Sequence, residues 1–444
     1  MNTINTNLLK KFLKITSFNI LGMISISVFI LADTFFIAQA LGHRGLAALN
    51  IAISIFSFMN GSALLIGIGA GTQYNIYKTN NQNNKAKSIF ALGLRLGFIV
   101  SLFFVLLGIF FSSQITTLLG ADSEIFNDTH IYIRWLLIGS PAFIFNQIFQ
   151  GFVRNDHNPR VAMIAMVTSS MLNIVLDYIF IFPLNMGMLG AIIATVFSTT
   201  ISLILVIFLH FNHRFKDLID IIKSKVNFKQ SLQIIKVGIS PFIIEVSVSI
   251  VIITFNLMIV EYSGNIGLAA YGIIANIALV IIAVFTGLSN SLQPLSSFYY
   301  AKDDTKNLYT VRKYAIVFAI VLSLITYIFL NILSDPIIHA FNSDNSHQLI
   351  QITKQGFQIY FIGFFFYGLN VVMATYFNAI LKVKTSFIIS MLRGLILIVP
   401  SAIILSHYLG MLGIWLSFIV SELLTFIYIL YKNNKKTFSV IRKS

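Results

Sequence analysis

A chain of 444 residues that is 57% hydrophobic and 10% charged, with mean hydropathy +0.86, has more apolar surface than a soluble core can use. Its formal charge of +15 would suit nucleic acid only on a soluble fold with clustered basic residues. Here Lys and Arg fall in short gaps between apolar runs, which excludes nucleic acid and points to a polytopic membrane protein. The absence of cysteine excludes disulfides, thiolate metal sites and a cysteine nucleophile.

At the N-terminus, Lys10, Lys11 and Lys14 precede an apolar stretch that ends in Ala38-Gln39-Ala40, superficially a cleavable leader. The stretch is too long for a leader and Asp33 interrupts it, so it reads as a retained first helix. Twelve spans follow, roughly 15–40, 46–76, 88–112, 131–153, 160–182, 188–211, 232–260, 266–300, 311–333, 355–381, 385–407 and 410–431. Of the 30 Lys and Arg, only Arg44, Arg95, Arg134, Lys236, Lys354 and Arg393 lie outside alternate gaps and the termini. The other gaps hold Asp122, Glu124, Asp128, Glu261, Asp335 and Asp344. By the positive-inside rule both termini are cytoplasmic, as twelve spans require.

The chain also repeats itself. Gly45-Leu46-Ala47-Ala48 recurs as Gly267-Leu268-Ala269-Ala270, and Gly187-Met188-Leu189-Gly190 recurs as Gly410-Met411-Leu412-Gly413, at offsets of 222 and 223. The expected fold is therefore all-α: twelve transmembrane helices in two six-helix lobes, 1–211 and 232–444, joined by a basic linker at 212–231. Pro141, Pro241, Pro294 and Pro400 interrupt helices and should kink them. Gly67-Ile68-Gly69-Ala70-Gly71-Thr72 resembles a nucleotide loop but lies inside an apolar span, where close helix packing explains it better.

Four carboxylates fall within spans: Asp33, Asp177, Glu245 and Glu422. A carboxylate at that depth is costly and by default marks an ion or substrate path. Counting from the flanking turns puts Asp33, Asp177 and Thr195 about 15 Å below the outer surface, with Asn173 one turn deeper. Two carboxylates, an amide and a hydroxyl at one level form a candidate site for an exchangeable proton or Na⁺. The repeat aligns Asp33 with Phe255, Asp177 with Pro400, and Glu245 with Met23, so function should be asymmetric between the lobes. Arg393 is the deepest cation, and either pairs with a carboxylate such as Glu422 or snorkels. No HExxH, GxSxG or histidine cluster occurs, and no enzymatic activity is expected.

The chain resembles the multidrug and toxic compound extrusion (MATE) family, within its wider flippase-containing superfamily. The resemblance rests on Ala32-Asp33-Thr34 before Gly45-Leu46-Ala47-Ala48, on Phe152-Val153-Arg154, and on Asn173-Ile174-Val175-Leu176-Asp177. Gly187-Met188-Leu189-Gly190-Ala191, Ala194-Thr195 and Ser240-Pro241 extend it over essentially the whole chain. It implies two lobes forming a V, exchange of Na⁺ or H⁺ for amphipathic, usually cationic compounds, and no cofactor. The family's first-lobe cation site would fall on Asp33, Asn173, Asp177 and Thr195, with Tyr132 in the same network; these residues would ligate Na⁺ in a sodium-coupled member. Glu245 matches a second-lobe acidic position proposed to bind cation or drug. Asn19 and Tyr178 stand where the family often has proline, and Asn155-Asp156-His157-Asn158 lacks its usual glycine.

The reading is a monomeric bacterial plasma-membrane exporter, with organic cations or amphipathic drugs as substrates and lipid as its surroundings. A lipid-linked precursor flippase is the alternative within transport; a non-transporting receptor or assembly factor would not depend on Asp33 and Asp177.

Overall fold

The computed structural model describes residues 6–211, 228–341 and 346–441; most of the expected 212–231 linker and the end of the tail lie outside them. Among the described residues, eleven helices are long and apolar enough to cross a membrane, and one bent pair makes a twelfth. They are α1 (Thr6–Gly42), α2 (Arg44–Thr79), α3 (Asn83–Phe110), the bent α4 (Phe126–Ile138 and Ser140–Asn155), α5 (Pro159–Ile181) and α6 (Gly187–Phe211). The second half supplies α7 (Phe228–Gly264), α8 (Ile266–Ala301), α9 (Thr305–Ile332), α10 (His347–Ala379), α11 (Val383–Leu409) and α12 (Met411–Lys432). Several exceed the expected spans, long enough to tilt or to project beyond a hydrocarbon layer.

The repeat is visible in the backbone. α1 meets α2 at Gly42 (φ 60°, ψ −146°), and α7 meets α8 at Gly264 (φ 57°, ψ −152°). A side chain is strained there, so each hairpin turns on a glycine at the 222-residue offset. Pro141 opens the second limb of α4, which bends by 49° after Gly139, while Pro241 and Pro294 lie within α7 and α8. Large apolar side chains such as Phe98, Phe103, Ile325 and Leu257 face outward, as a lipid-facing surface requires.

Each half builds its own core, one around Met59, Ile133, Ile148 and Phe152, the other around Phe285, Phe357, Phe364 and Trp415. The exceptions cross over. Leu8, Phe12 and Ile15, on the first turns of α1, pack in the second core, and Ile234 of α7 packs in the first.

The lobes meet toward the end of the molecule that carries Lys78, Lys85, Lys302 and Lys306. Gly69 and Gly238 let α2 and α7 touch: a Cβ on Gly69 would collide with the Ile234 carbonyl, and one on Gly238 with that of Leu65. The glycine run therefore serves helix packing, with Gly67 likewise held against Gln147 of α4. Polar bonds reinforce the seam. Asn75 donates to the Pro294 carbonyl (2.9 Å) and Ser297 (2.8 Å), and Gln293 donates to Thr72 (2.7 Å) and Asn155 (3.1 Å). Asn19, where a family proline was expected, donates to Ser291 of α8 at 3.1 Å. Farther along, Phe58 meets the Phe242 ring edge-on and Asn60 bonds Glu245 across the lobes.

Candidate functional site

Asp177 sits in the last turns of α5, a helix opened by Pro159, whose missing N–H costs nothing in a first turn. The chain then turns at Gly187 (φ 54°) into α6, which places Thr195 beside Asn173. Asn173 Nδ2 donates to Thr195 Oγ1 at 3.2 Å, and the Thr195 hydroxyl donates to the Ala191 carbonyl at 3.0 Å. Asp33 comes from α1, packed tightly on α5 where Gly22 lies against Met166.

All five expected first-lobe residues are buried, Asp177 completely (0% exposed). Asp33 and Asp177 lie within electrostatic reach of each other, and Tyr132, from the first limb of α4, within reach of both. Their bonding is incomplete. Asp33 Oδ1, both carboxylate oxygens of Asp177 and Asn173 Oδ1 are buried with no hydrogen-bond partner among the described residues. Buried oxygens are normally satisfied, because an unmet acceptor forfeits its hydration. A proton or a small cation would satisfy several here at once. The donors are carboxylate, amide and hydroxyl oxygens, hard ligands of the kind that take up H⁺ or Na⁺.

Glu245 stands apart, in α7 of the other lobe. Its Oε1 accepts from Asn60 Nδ2 at 2.9 Å, and Asn60 Oδ1 accepts from Gln147 Nε2 at 2.9 Å. A chain of three polar side chains thus links α7, α2 and α4. Sequence reasoning missed Asn60 and Gln147, since amides in apolar helices give a far weaker signal than charges.

Arg393 pairs rather than snorkels. It donates to Glu422 Oε1 from Nε (3.2 Å) and Nη2 (3.0 Å), lies 4.4 Å over the Tyr367 ring, and Asn370 donates to Glu422 Oε2 at 2.6 Å. The arginine occupies a π-helical turn, Leu392–Ile396, which re-aims it into the lobe.

A third cluster lies at the basic end, around Asp156, which follows the last residue of α4 and lies outside the spans. Asp156 accepts from His210 Nε2 at 2.9 Å, from Lys78, and from the Tyr74 hydroxyl at 3.3 Å. Burial alone would raise its carboxyl, but the bonds and charges of His210 and Lys78 hold it well below the usual carboxylate range.

Comparison with known proteins gives a consistent likeness. The MatE family profile matches residues 19–179 and 241–404. The multidrug export protein MepA of Staphylococcus saprophyticus is 24% identical over 409 residues, covering 90% of this chain and 88% of its own length. MepA of Staphylococcus aureus is 23% identical over 408 residues with the same coverage. Among solved structures, an outward-facing multidrug resistance MATE family transporter superposes over 100% of both chains with TM-score 0.87 at 23% identity. A variant of the Vibrio cholerae MATE transporter VcmN does so with TM-score 0.87 at 20% identity, over 97% of this chain and 98% of its own.

Proposed function

Because the chain belongs to the MatE family, we propose that it is a secondary active transporter that exports amphipathic, mostly cationic organic compounds in exchange for H⁺ or Na⁺. The observation that carries the proposal is the first-lobe site, where Asp33, Asp177 and Asn173 present unsatisfied buried oxygens. Thr195 holds Asn173 in place and Tyr132 stands beside both carboxylates. The lysine-rich turns support a topology with the seam and both termini on the cytoplasmic side, in a bacterial plasma membrane. In this reading the lobes part beyond the Asn60–Glu245 contact to form a cleft open to the outside, the state in which the drug leaves and the coupling cation enters.

Two carboxylates in a low-dielectric lobe cannot both stay charged without a cation. Once the cation binds, their repulsion disappears and the first lobe can adopt a different packing. Exchange requires that cation and drug stabilise different states, since a ligand indifferent to the two shifts nothing. Glu245, on the cleft floor, offers a carboxylate to a cationic drug. Export is favoured over flipping of a lipid pyrophosphate because Arg393, the deep cation such a headgroup would need, is already bound to Glu422.

The test is efflux of a cationic dye from proteoliposomes with a proton or sodium gradient imposed separately. One gradient should drive efflux in the wild type, and Asp177→Asn should abolish it at unchanged expression and folding. Undiminished, gradient-driven efflux by Asp177→Asn would remove the site from the mechanism.

A further inference from the structure

The hydrogen bond between Asn60 and Glu245 joins a first-lobe amide to a second-lobe carboxylate, and the helices are shaped to allow it. Phe58, Asn60 and Gly61 of α2 all face α7. Phe58 meets the Phe242 ring edge-on, and a Cβ on Gly61 would lie 3.2 Å from that ring and 3.4 Å from the Glu245 Cβ. The glycine thus keeps α2 close enough for its neighbour Asn60 to reach Glu245. The Asn60 amide is also held in one orientation. Its Oδ1 accepts from Gln147 Nε2 at 2.9 Å, which turns Nδ2 toward Glu245 Oε1, also at 2.9 Å. Gln147 is steadied in turn, since a Cβ on Gly67 of α2 would lie 2.9 Å from its carbonyl oxygen. The seam amides Asn19, Asn75 and Gln293 are buried, whereas Asn60, Gln147 and Glu245 are each half-buried, so solutes can reach this bond.

An amide aimed at a carboxylate offers it an N–H donor without a charge. We propose that Asn60 determines specificity as an internal stand-in for the substrate, occupying Glu245 until an organic cation displaces it, with Gln147 as the positioning residue that keeps the amide turned. The proposal rests on the reading of Glu245 as the carboxylate that receives the drug. A hydrogen bond with both partners charged is stronger than one with a neutral amide donor, so a cationic group displaces Asn60. An uncharged amphiphile has no such advantage and gains nothing by entering the contact. Discrimination therefore comes from the competitor as well as from the carboxylate. As the cation departs, the amide returns to Glu245, which favours release over rebinding.

The competing role is structural, with Asn60 only fastening the lobes together. Calorimetric titration of the lipid-reconstituted protein separates the two, using tetraphenylphosphonium as the cation and triphenylphosphine oxide as a neutral ligand of similar apolar bulk. Asn60→Leu should lower the Kd for the cation about tenfold and leave that for the neutral ligand within about twofold. Gln147→Leu frees the amide to rotate, should shift the cation Kd the same way by less, and serves if Asn60→Leu fails to fold. Adding Glu245→Gln to Asn60→Leu should abolish the gain. Cation binding that is unchanged or weaker in both single variants, equal tightening of both ligands, or a gain that survives Glu245→Gln would each overturn the proposal. If Glu245→Gln alone binds both ligands as the wild type does, the reading of Glu245 fails and the proposal falls with it. If Glu245→Gln weakens the cation selectively while Asn60→Leu and Gln147→Leu change nothing, only the proposal fails.

Discussion

Phe12 and Ile234 occupy equivalent positions in the two repeats, 222 residues apart, and each is buried in the core of the opposite lobe. Phe12 packs on Tyr314 and Phe318 of α9, with ring centroids 6.0 and 6.4 Å away. The first helix of each half thereby fastens the lobes together at their basic ends. Phe12→Ala should cost about 3–5 kcal/mol in denaturant unfolding, as for other fully buried aromatics. A loss below about 1 kcal/mol would show that the crossed packing contributes little.

Arg393 and Glu422 form an ion pair sealed inside the second lobe, with side chains 5% and 3% exposed. Removing one partner strands the other charge, so Arg393→Met alone should destabilise by about 3–5 kcal/mol. Arg393→Met combined with Glu422→Leu should recover most of that loss. Additive single effects in a thermodynamic cycle would mean the two residues do not act as a pair.

Glu245 is tied to Asn60 across the lobes, and a cationic drug at the cleft floor would compete with that bond. Glu245→Gln keeps a hydrogen-bonding group but loses the charge. It should weaken export of cationic dyes about tenfold while changing export of neutral amphipathic substrates much less. Equal losses for both classes would assign Glu245 to the interlobe bond alone.

Asp156 makes a pH-dependent prediction. Its carboxyl is held below the ordinary value of 3.8, so its contribution to folding is complete above that value and disappears as pH falls through the lower folded one. The gap in melting temperature between wild type and Asp156→Asn should stay level in its carboxylate part at neutral pH and shrink below about pH 4. The flanking Lys78 and His210 set the size of the gap. A gap that widens in acid would contradict the sign.

Much of this was legible because a transmembrane helix measures depth. Counting residues from the turns put Asp33, Asp177 and Thr195 at one level with Asn173 one turn deeper, and the Asn173–Thr195 bond joins two of the four. Tyr132 came only from the family resemblance, as a tyrosine near a membrane interface carries no signal of its own. Whether Arg393 pairs with a carboxylate such as Glu422 or snorkels stayed open, because its direction depends on a π-helical turn that periodicity does not reveal. The exchange of Phe12 and Ile234 between cores was invisible for another reason. An apolar face states that it must be buried, and says nothing of the lobe that buries it. The same holds for Asn60 and Gln147, whose bonds depend on how the two lobes meet.

The shared cation site is tested most directly by a double-mutant cycle. The concentration of driving ion that gives half-maximal dye efflux, or ion binding where efflux is lost, is measured for wild type, Asp33→Asn, Asp177→Asn and the double variant. If Asp33 and Asp177 hold one cation between them, either substitution removes most of the affinity, and the second adds little, so the effects are strongly non-additive. If the shifts instead multiply, the two carboxylates bind independently and the shared site is wrong.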